Sequence, residues 1–74
     1  MNIFAADKNI NIQLDQSLAI EGTISVTNVL GQEIAKVAIT NSTTVIPMLS
    51  AKTGVYMVTV SQSTGAYTKK VSVQ

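Results

Sequence analysis

Residues 23–27 read Thr-Ile-Ser-Val-Thr, and this alternation of branched apolar and hydroxyl side chains decides the fold class. Successive side chains on a β-strand point to opposite faces of the sheet. Ile24 and Val26 are therefore predicted to face a core, while Ser25 and the two threonines face solvent. The segment predicts a strand that is buried on one side only.

The same period-two pattern recurs along the chain between short polar turn clusters, and helix-period spacing is nearly absent. Links are predicted at residues 15–22 and 50–54. The strands are predicted at residues 2–6, 10–14, 23–27, 34–40, 44–48, 55–62 and 66–73. This spacing predicts an all-β fold, a small Ig-like antiparallel β-sandwich of about seven strands, in a single domain over residues 1–74. A barrel of about five or six strands is the alternative.

Several residues predict local features of these strands. Gly31 and Gly65 are predicted to be structural turn residues, because glycine adopts positive φ at little cost. The apolar positions of the fourth strand change parity, which predicts a β-bulge near residues 35–36. Pro47 cannot donate a ladder hydrogen bond, so the fifth strand is predicted to lie at a sheet edge or to end there.

The composition excludes several classes of function. The 74 residues contain no cysteine and no histidine, which removes thiolate nucleophiles, disulfides and the commonest general base and metal ligand. A net charge of +1 gives little attraction to nucleic acid. No apolar run approaches the ~18 residues of a membrane span.

The acidic residues do not predict an active site. Asp7, Asp15, Glu21 and Glu33 all fall in or beside predicted turns, where a solvated carboxylate is the usual state. Glycosidase chemistry needs two carboxyl groups facing each other about 5–9 Å apart, and a calcium site needs further oxygen ligands at fixed spacing. We therefore expect no enzyme activity, no metal, no cofactor and no small-molecule substrate.

The aromatic residues predict core packing and not a ligand-stacking platform. Only Phe4, Tyr56 and Tyr67 are present, whereas sugar- or nucleic-acid-binding faces use several exposed rings. Tyr56 alternates with Val58 and Val60, so its ring is predicted to face the core with its hydroxyl at the rim.

Adjacent lysines stand out in the last predicted strand. Neighbours on a strand point to opposite faces, so either Lys69 or Lys70 is predicted to point toward the core side. On an edge strand such a lysine deters sheet-to-sheet aggregation. A role in binding a partner is the other interpretation, and composition leaves both open.

The order of three segments resembles a known family. They are Val-Thr-Asn-Val-Leu-Gly-Gln-Glu-Ile at residues 26–34, Thr-Gly-Val-Tyr-Met-Val-Thr-Val at 53–60, and Lys-Lys-Val-Ser-Val at 69–73. This order is similar to the C-terminal sorting domain of the type IX secretion system (the Por system), in its type A form. The resemblance covers residues 22–74. The Pro-Asn-Pro-type segment that opens many members is not present at residues 3–7.

The resemblance implies a function. Such a domain ends a cargo protein of a Gram-negative bacterium that crosses the inner membrane and reaches the outer-membrane surface or the extracellular space. The outer-membrane type IX secretion machinery recognises the domain, and a sortase-like protease then removes it. Residues 1–74 are accordingly interpreted as part of a longer secreted protein whose export signal lies upstream.

The resemblance also implies a recognition surface, and the family order implies that it includes the last hairpin. Its expected residues are Lys69, Lys70, Val71, Val73, Gly54 and Tyr56. A weak homodimer through an exposed edge strand is a further expectation. The alternative function is a structural or adhesive Ig-like domain of a bacterial surface protein, and a carbohydrate-binding module ranks third.

Overall fold

The computed structural model describes residues 1–15, 20–48 and 52–73. The links predicted at residues 15–22 and 50–54 therefore lie partly outside the described residues. None of the described residues forms a helix that is long and apolar enough to cross a membrane.

Two antiparallel sheets form the structure, which confirms the all-β sandwich. The three-stranded sheet has the order β1-β2-β5, and the four-stranded sheet has the order β4-β3-β6-β7. This order is that of an Ig-like sandwich in which the fourth strand pairs with the third. The strands are β1 (Asn2–Ala6), β2 (Asn9–Gln13), β3 (Thr23–Thr27), β4 (Glu33–Ala38), β5 (Thr43–Pro47), β6 (Gly54–Gln62) and β7 (Gly65–Val73).

The core lies between the inner faces of the two sheets, as the alternation predicts. Strand β3 pairs with β4 on one side and β6 on the other, and its Ile24 and Val26 are fully buried. The side chains that are almost inaccessible to solvent are all aliphatic: Ile3, Ile10, Ile12, Ile24, Val26, Val58 and Val60. Burial of this aliphatic surface is the main favourable contribution to folding.

A bulge interrupts the pairing of β3 with β4, one residue from where the parity change predicts it. Val26 lies opposite Ala35, but Thr27 lies opposite Glu33, so Ile34 is the extra residue. Its side chain is consequently exposed. Strand β5 lies at the edge of its sheet, which confirms the position predicted from Pro47.

Tyr56 forms a tyrosine corner at the start of β6. Its ring is buried, and its hydroxyl donates a hydrogen bond of 2.5 Å to the carbonyl oxygen of Lys52. Ig-like sandwiches use such a tyrosine, near the start of the corresponding strand, to fix the preceding chain reversal. The predicted orientation of Tyr56, with the ring inward and the hydroxyl at the rim, is confirmed.

Candidate recognition surface

The hairpin of β6 and β7 carries all six predicted recognition residues. Its two strands are nine residues each and pair in continuous register from Gln62 opposite Gly65 to Gly54 opposite Val73. Strand β7 is the edge of the four-stranded sheet. Within the described residues, no strand pairs with its other side, so half of its backbone polar groups face outward.

Lys69 lies on the inner side of β7. It is opposite Val58, which is fully buried, and directly opposed residues share a face of the sheet. The Lys69 Nζ donates a hydrogen bond of 2.7 Å to the carbonyl oxygen of Ile3 in β1. The lysine therefore joins the edge strands of the two sheets, and the predicted core-side lysine is identified as Lys69.

Lys70 lies on the opposite, outer face of β7. It is opposite Met57, and its side chain is exposed. In the described part of the chain, Lys70 Nζ has no hydrogen-bond or ion-pair partner. Both lysines are exposed, but the Lys69 Nζ is engaged by the Ile3 carbonyl, so Lys70 is the more available of the two to an external carboxylate.

The remaining predicted recognition residues are mostly internal. The side chains of Tyr56, Val71 and Val73 belong to the core, with exposed fractions of 6%, 7% and 2%. Gly54 begins β6 and lies opposite Val73. These side chains are therefore placed to shape the hairpin, and the backbone of β7 is their accessible part.

A side-chain network builds the turn between β3 and β4. The Asn28 Oδ1 accepts hydrogen bonds from the backbone N–H groups of Leu30, at 2.9 Å, and Gln32, at 3.0 Å. Its Nδ2 donates to Gln32 Oε1 at 2.9 Å. Gly31 completes the turn with a φ of 84°, a conformation that glycine adopts without strain. Gly65, the other predicted turn residue, has a φ of 142°.

The turn holds two apolar side chains in solvent, and the sequence analysis did not single them out as candidate binding residues. Val29 is 75% exposed and Leu30 is 79% exposed. Val29 lies beside Val55 and Met57, which are on the outer face of β6. The available signal was the alternation of β6, because the pattern that buries Tyr56 turns its neighbours outward.

Two of the four carboxylates have partners within the described residues. Asp15 pairs with the N-terminal amine of Met1, and Glu21 Oε1 accepts hydrogen bonds from Ser63 N and Ser63 Oγ. Across residues 1–15, 20–48 and 52–73, no group of three or more acidic side chains could hold a metal ion. The geometry offers a continuously paired hairpin, an open strand edge and a half-apolar outer face, which are features of a binding module.

Comparison with known proteins identifies the family. The family model described as the secretion system C-terminal sorting domain matches residues 6–74, a longer match than the resemblance at residues 22–74. No curated protein matches the chain. The family is a sorting signal and not a known enzyme, and membership implies export to the outer membrane or cell surface of a Gram-negative bacterium through contact with the secretion machinery. The chain belongs to the secretion system C-terminal sorting domains and is a sorting signal for type IX secretion.

Proposed function

We propose that the outer-membrane type IX machinery recognises this domain in its folded state, with the β6–β7 hairpin at the centre of the recognition surface. The observation that carries the proposal is the position of the hairpin at the sheet edge, where Lys70 is exposed and the backbone groups on the outer side of β7 are open to a partner. A receptor strand could add to this edge. A receptor could also bind the shape of the hairpin and the exposed Lys70, and we favour this second mode.

The six predicted residues divide into two roles in this proposal. Lys70 contacts the receptor. The side chains of Val71 and Val73 are buried and anchor β7, which leaves the backbone at these two residues accessible at the sheet edge. Tyr56 fixes the start of β6 through its hydrogen bond to the Lys52 carbonyl, and Gly54 lies at this start, opposite Val73 near the end of β7. Lys69 holds β7 against β1 through the Ile3 carbonyl.

The later steps are also proposals. Recognition follows folding in the periplasm, a sortase-like protease removes the domain, and the cargo reaches the outer-membrane surface or the medium. The family's role as a sorting signal supports this sequence of steps. No observation on the described residues favours an adhesive domain.

The test uses residues 1–74 fused to the C-terminus of a fluorescent protein that carries an inner-membrane export signal. In a bacterium with type IX secretion, we expect fluorescence outside the cell, and periplasmic fluorescence for the same protein without the domain. The variant Val58→Asp places a charge in the core and should unfold the domain while keeping every exposed residue. Its export should be lost.

The matched control is Val45→Asp, which introduces the same charge at an exposed valine on the outer face of the other sheet. This variant should be exported normally. If the Val58→Asp variant were exported as efficiently as the Val45→Asp variant, the machinery would recognise an unfolded segment, contrary to the proposal.

We also propose that copies of the domain pair weakly through the β7 edge. An unpaired strand edge is a template for a second strand. The proximity of two Lys69-Lys70 pairs would oppose this association, so the dimer should be weak and strengthened by salt. Sedimentation of the isolated chain at increasing concentration, with and without added salt, tests the pairing. A monomer under all conditions would contradict it.

A further inference from the structure

Residues from three separate segments of the chain meet at one end of the outer face of the four-stranded sheet. They form a shallow depression of about 600 Å³. Its lining comes from the end of β3 and the following turn, from β6 and from β7: Thr27, Asn28, Val29, Gly31, Val55, Met57 and Lys70. We call this the outer-face depression.

Apolar side chains on this outer face are concentrated at the depression. Farther along the same face, Ser25 lies opposite Thr59, and Thr59 lies opposite Thr68. The Oγ1 atoms of the two threonines are 3.0 Å apart and hydrogen-bonded. That end of the face therefore presents hydroxyl groups, whereas the depression presents Val55 and Met57.

The turn that borders the depression is organised before any partner binds. The hydrogen bonds of Asn28 to Leu30 N and Gln32 N fix the backbone that carries Val29. An exposed aliphatic side chain on a fixed turn loses less conformational entropy on binding than one on a mobile loop. The arrangement favours a binding role for Val29.

The two ends of the outer-face depression carry opposite charges. Glu33, Thr27, Met57 and Lys70 are successive neighbours in one row across the sheet, with the acid at one end and the lysine at the other. Strand spacing separates the two ends by about 14 Å. A ligand carboxylate is attracted at the β7 end, where Lys70 lacks a partner within the described residues, and is repelled at the β4 end.

We infer that the outer-face depression binds a protein segment of the secretion machinery that presents an aliphatic side chain next to a carboxylate. The aliphatic group covers Val29, Val55 and Met57, and the carboxylate pairs with Lys70. Partial burial of that ion pair beside apolar surface would strengthen it relative to a fully solvated pair. The inference rests on the proposed function, since it names the partner chemistry of the same recognition surface.

The charge is tested with the fluorescent export reporter. Lys70→Glu should lower the exported fraction at least about tenfold, the effect of roughly 1.4 kcal/mol of binding free energy. Lys70→Arg should retain export, and Lys70→Gln should be intermediate. The control is Lys36→Glu, which reverses an exposed lysine on the same outer face, opposite Ser25 in the hydroxyl-lined part of the sheet.

The apolar part is tested by replacing a valine with the isosteric threonine. Val55→Thr should reduce export, and Val45→Thr, at an exposed valine of the other sheet, should not. Thermal melts of the isolated variants should match the wild type, because both side chains are substantially exposed. Normal export of Lys70→Glu, or equal losses for each variant and its control, would overturn the inference.

The occupant is identified by replacing Val29 with the photo-crosslinking residue p-benzoylphenylalanine in the reporter. Irradiation during export should link it to a protein segment in which Asp or Glu lies within a few residues of Leu, Ile or Val. Linkage to lipid, to polysaccharide or to a segment without an acid would overturn the inference. Failure of the proposed function is distinguishable, because the wild-type reporter would then stay inside the cell or the unfolded Val58→Asp reporter would be exported.

Discussion

At the scale of single residues, the hydroxyl of Tyr56 has a measurable role. Tyr56→Phe keeps the buried ring and removes the hydrogen bond to the Lys52 carbonyl. We expect a loss of about 1 kcal/mol in the free energy of unfolding, measured by urea denaturation. The matched control is Tyr67→Phe, at a ring that is half exposed. Equal stability of the two variants would contradict the role of the tyrosine corner.

Gly22 is the glycine that tolerates substitution least. Its φ is 112°, and a Cβ built there would lie 2.1 Å from the carbonyl oxygen of Ser61. Backbone atoms cannot give way as a flexible side chain can, so Gly22→Ala should destabilise the domain by at least about 2 kcal/mol.

The comparison for Gly22 is Gly54→Ala. Among the described residues, no atom lies within 4 Å of a Cβ built on Gly54. Thermal and urea unfolding of this variant should differ from the wild type by less than about 0.5 kcal/mol. If the Gly22→Ala variant were as stable as the Gly54→Ala variant, the backbone just before β3 would be able to move away from Ser61.

Residue-scale predictions succeeded where local geometry was sufficient. Alternation along β6 gave the orientation of Tyr56 without knowledge of its neighbours. For the lysine pair, alternation predicted that the two side chains diverge. Lys69 is two residues from Val71, whose side chain is buried, so the same alternation places Lys69 on the inner face, opposite the buried Val58.

At the scale of elements, the turn of the β1–β2 hairpin contains a strained residue, Lys8, and a substitution should relieve the strain. Ala6 lies opposite Asn9, and the intervening Asp7 and Lys8 have φ values of 52° and 62°. These values are those of a type I′ turn, in which asparagine or aspartate followed by glycine is favoured. Lys8 adopts this conformation at a cost, because its Cβ crowds the backbone.

We therefore expect Lys8→Gly to raise the free energy of unfolding by about 0.5–1 kcal/mol. The hydrogen bond from Met48 N to the Lys8 carbonyl is a backbone contact and is retained. Lys8→Ala removes the long side chain but keeps the Cβ, so it should give no gain. A glycine variant that melts no higher than the alanine variant would contradict the strain.

Element boundaries were predicted less well than element types, for a physical reason. The fourth strand was predicted to reach residue 40 but ends at Ala38. Ile39 is still buried, which is why the apolar pattern of the strand continues to this residue. Its backbone N–H, however, donates to the carbonyl oxygen of Gly22, which precedes β3, and not to a ladder partner.

At the scale of the whole molecule, Lys69 connects the two sheets. Lys69→Met keeps most of the aliphatic stem and removes the hydrogen bond to the Ile3 carbonyl. We expect a loss of about 1 kcal/mol in unfolding free energy, measured by urea denaturation. Lys70→Met should change stability by less than about 0.5 kcal/mol, since the Lys70 Nζ has no hydrogen-bond partner among the described residues to lose. Equal losses would mean that Lys69 adds no more than an ordinary surface charge.

Removal of residues 69–74 should unfold the domain. The deleted segment contains Val71 and Val73, which are buried in the core, and residues 54–58 of β6 would lose their ladder partners. Circular dichroism of the truncated chain should show loss of β-structure at 25 °C. A folded truncated chain would contradict this expectation. If the chain unfolds, lost export of such a truncation cannot be attributed to Lys70 alone, which is why point variants carry the tests above.

The sequence predicted the components of the recognition surface but not their meeting point. The turn at residues 28–32, the start of β6 and the lysine strand were each predicted as separate segments. Their assembly into the outer-face depression depends on β3 pairing with β6 and β6 pairing with β7. The pairing of β3 with β6 joins segments far apart in the chain, and period-two alternation carries no information about such partners.

The contact between β1 and β7 also has a consequence for timing. Lys69 reaches the Ile3 carbonyl, so the first and last strands complete each other's packing. While β7 is still inside a ribosome tunnel or a membrane channel, its contacts with β1 and β6 cannot form. A nascent polypeptide in which β7 has not yet emerged therefore cannot present the folded hairpin to a receptor.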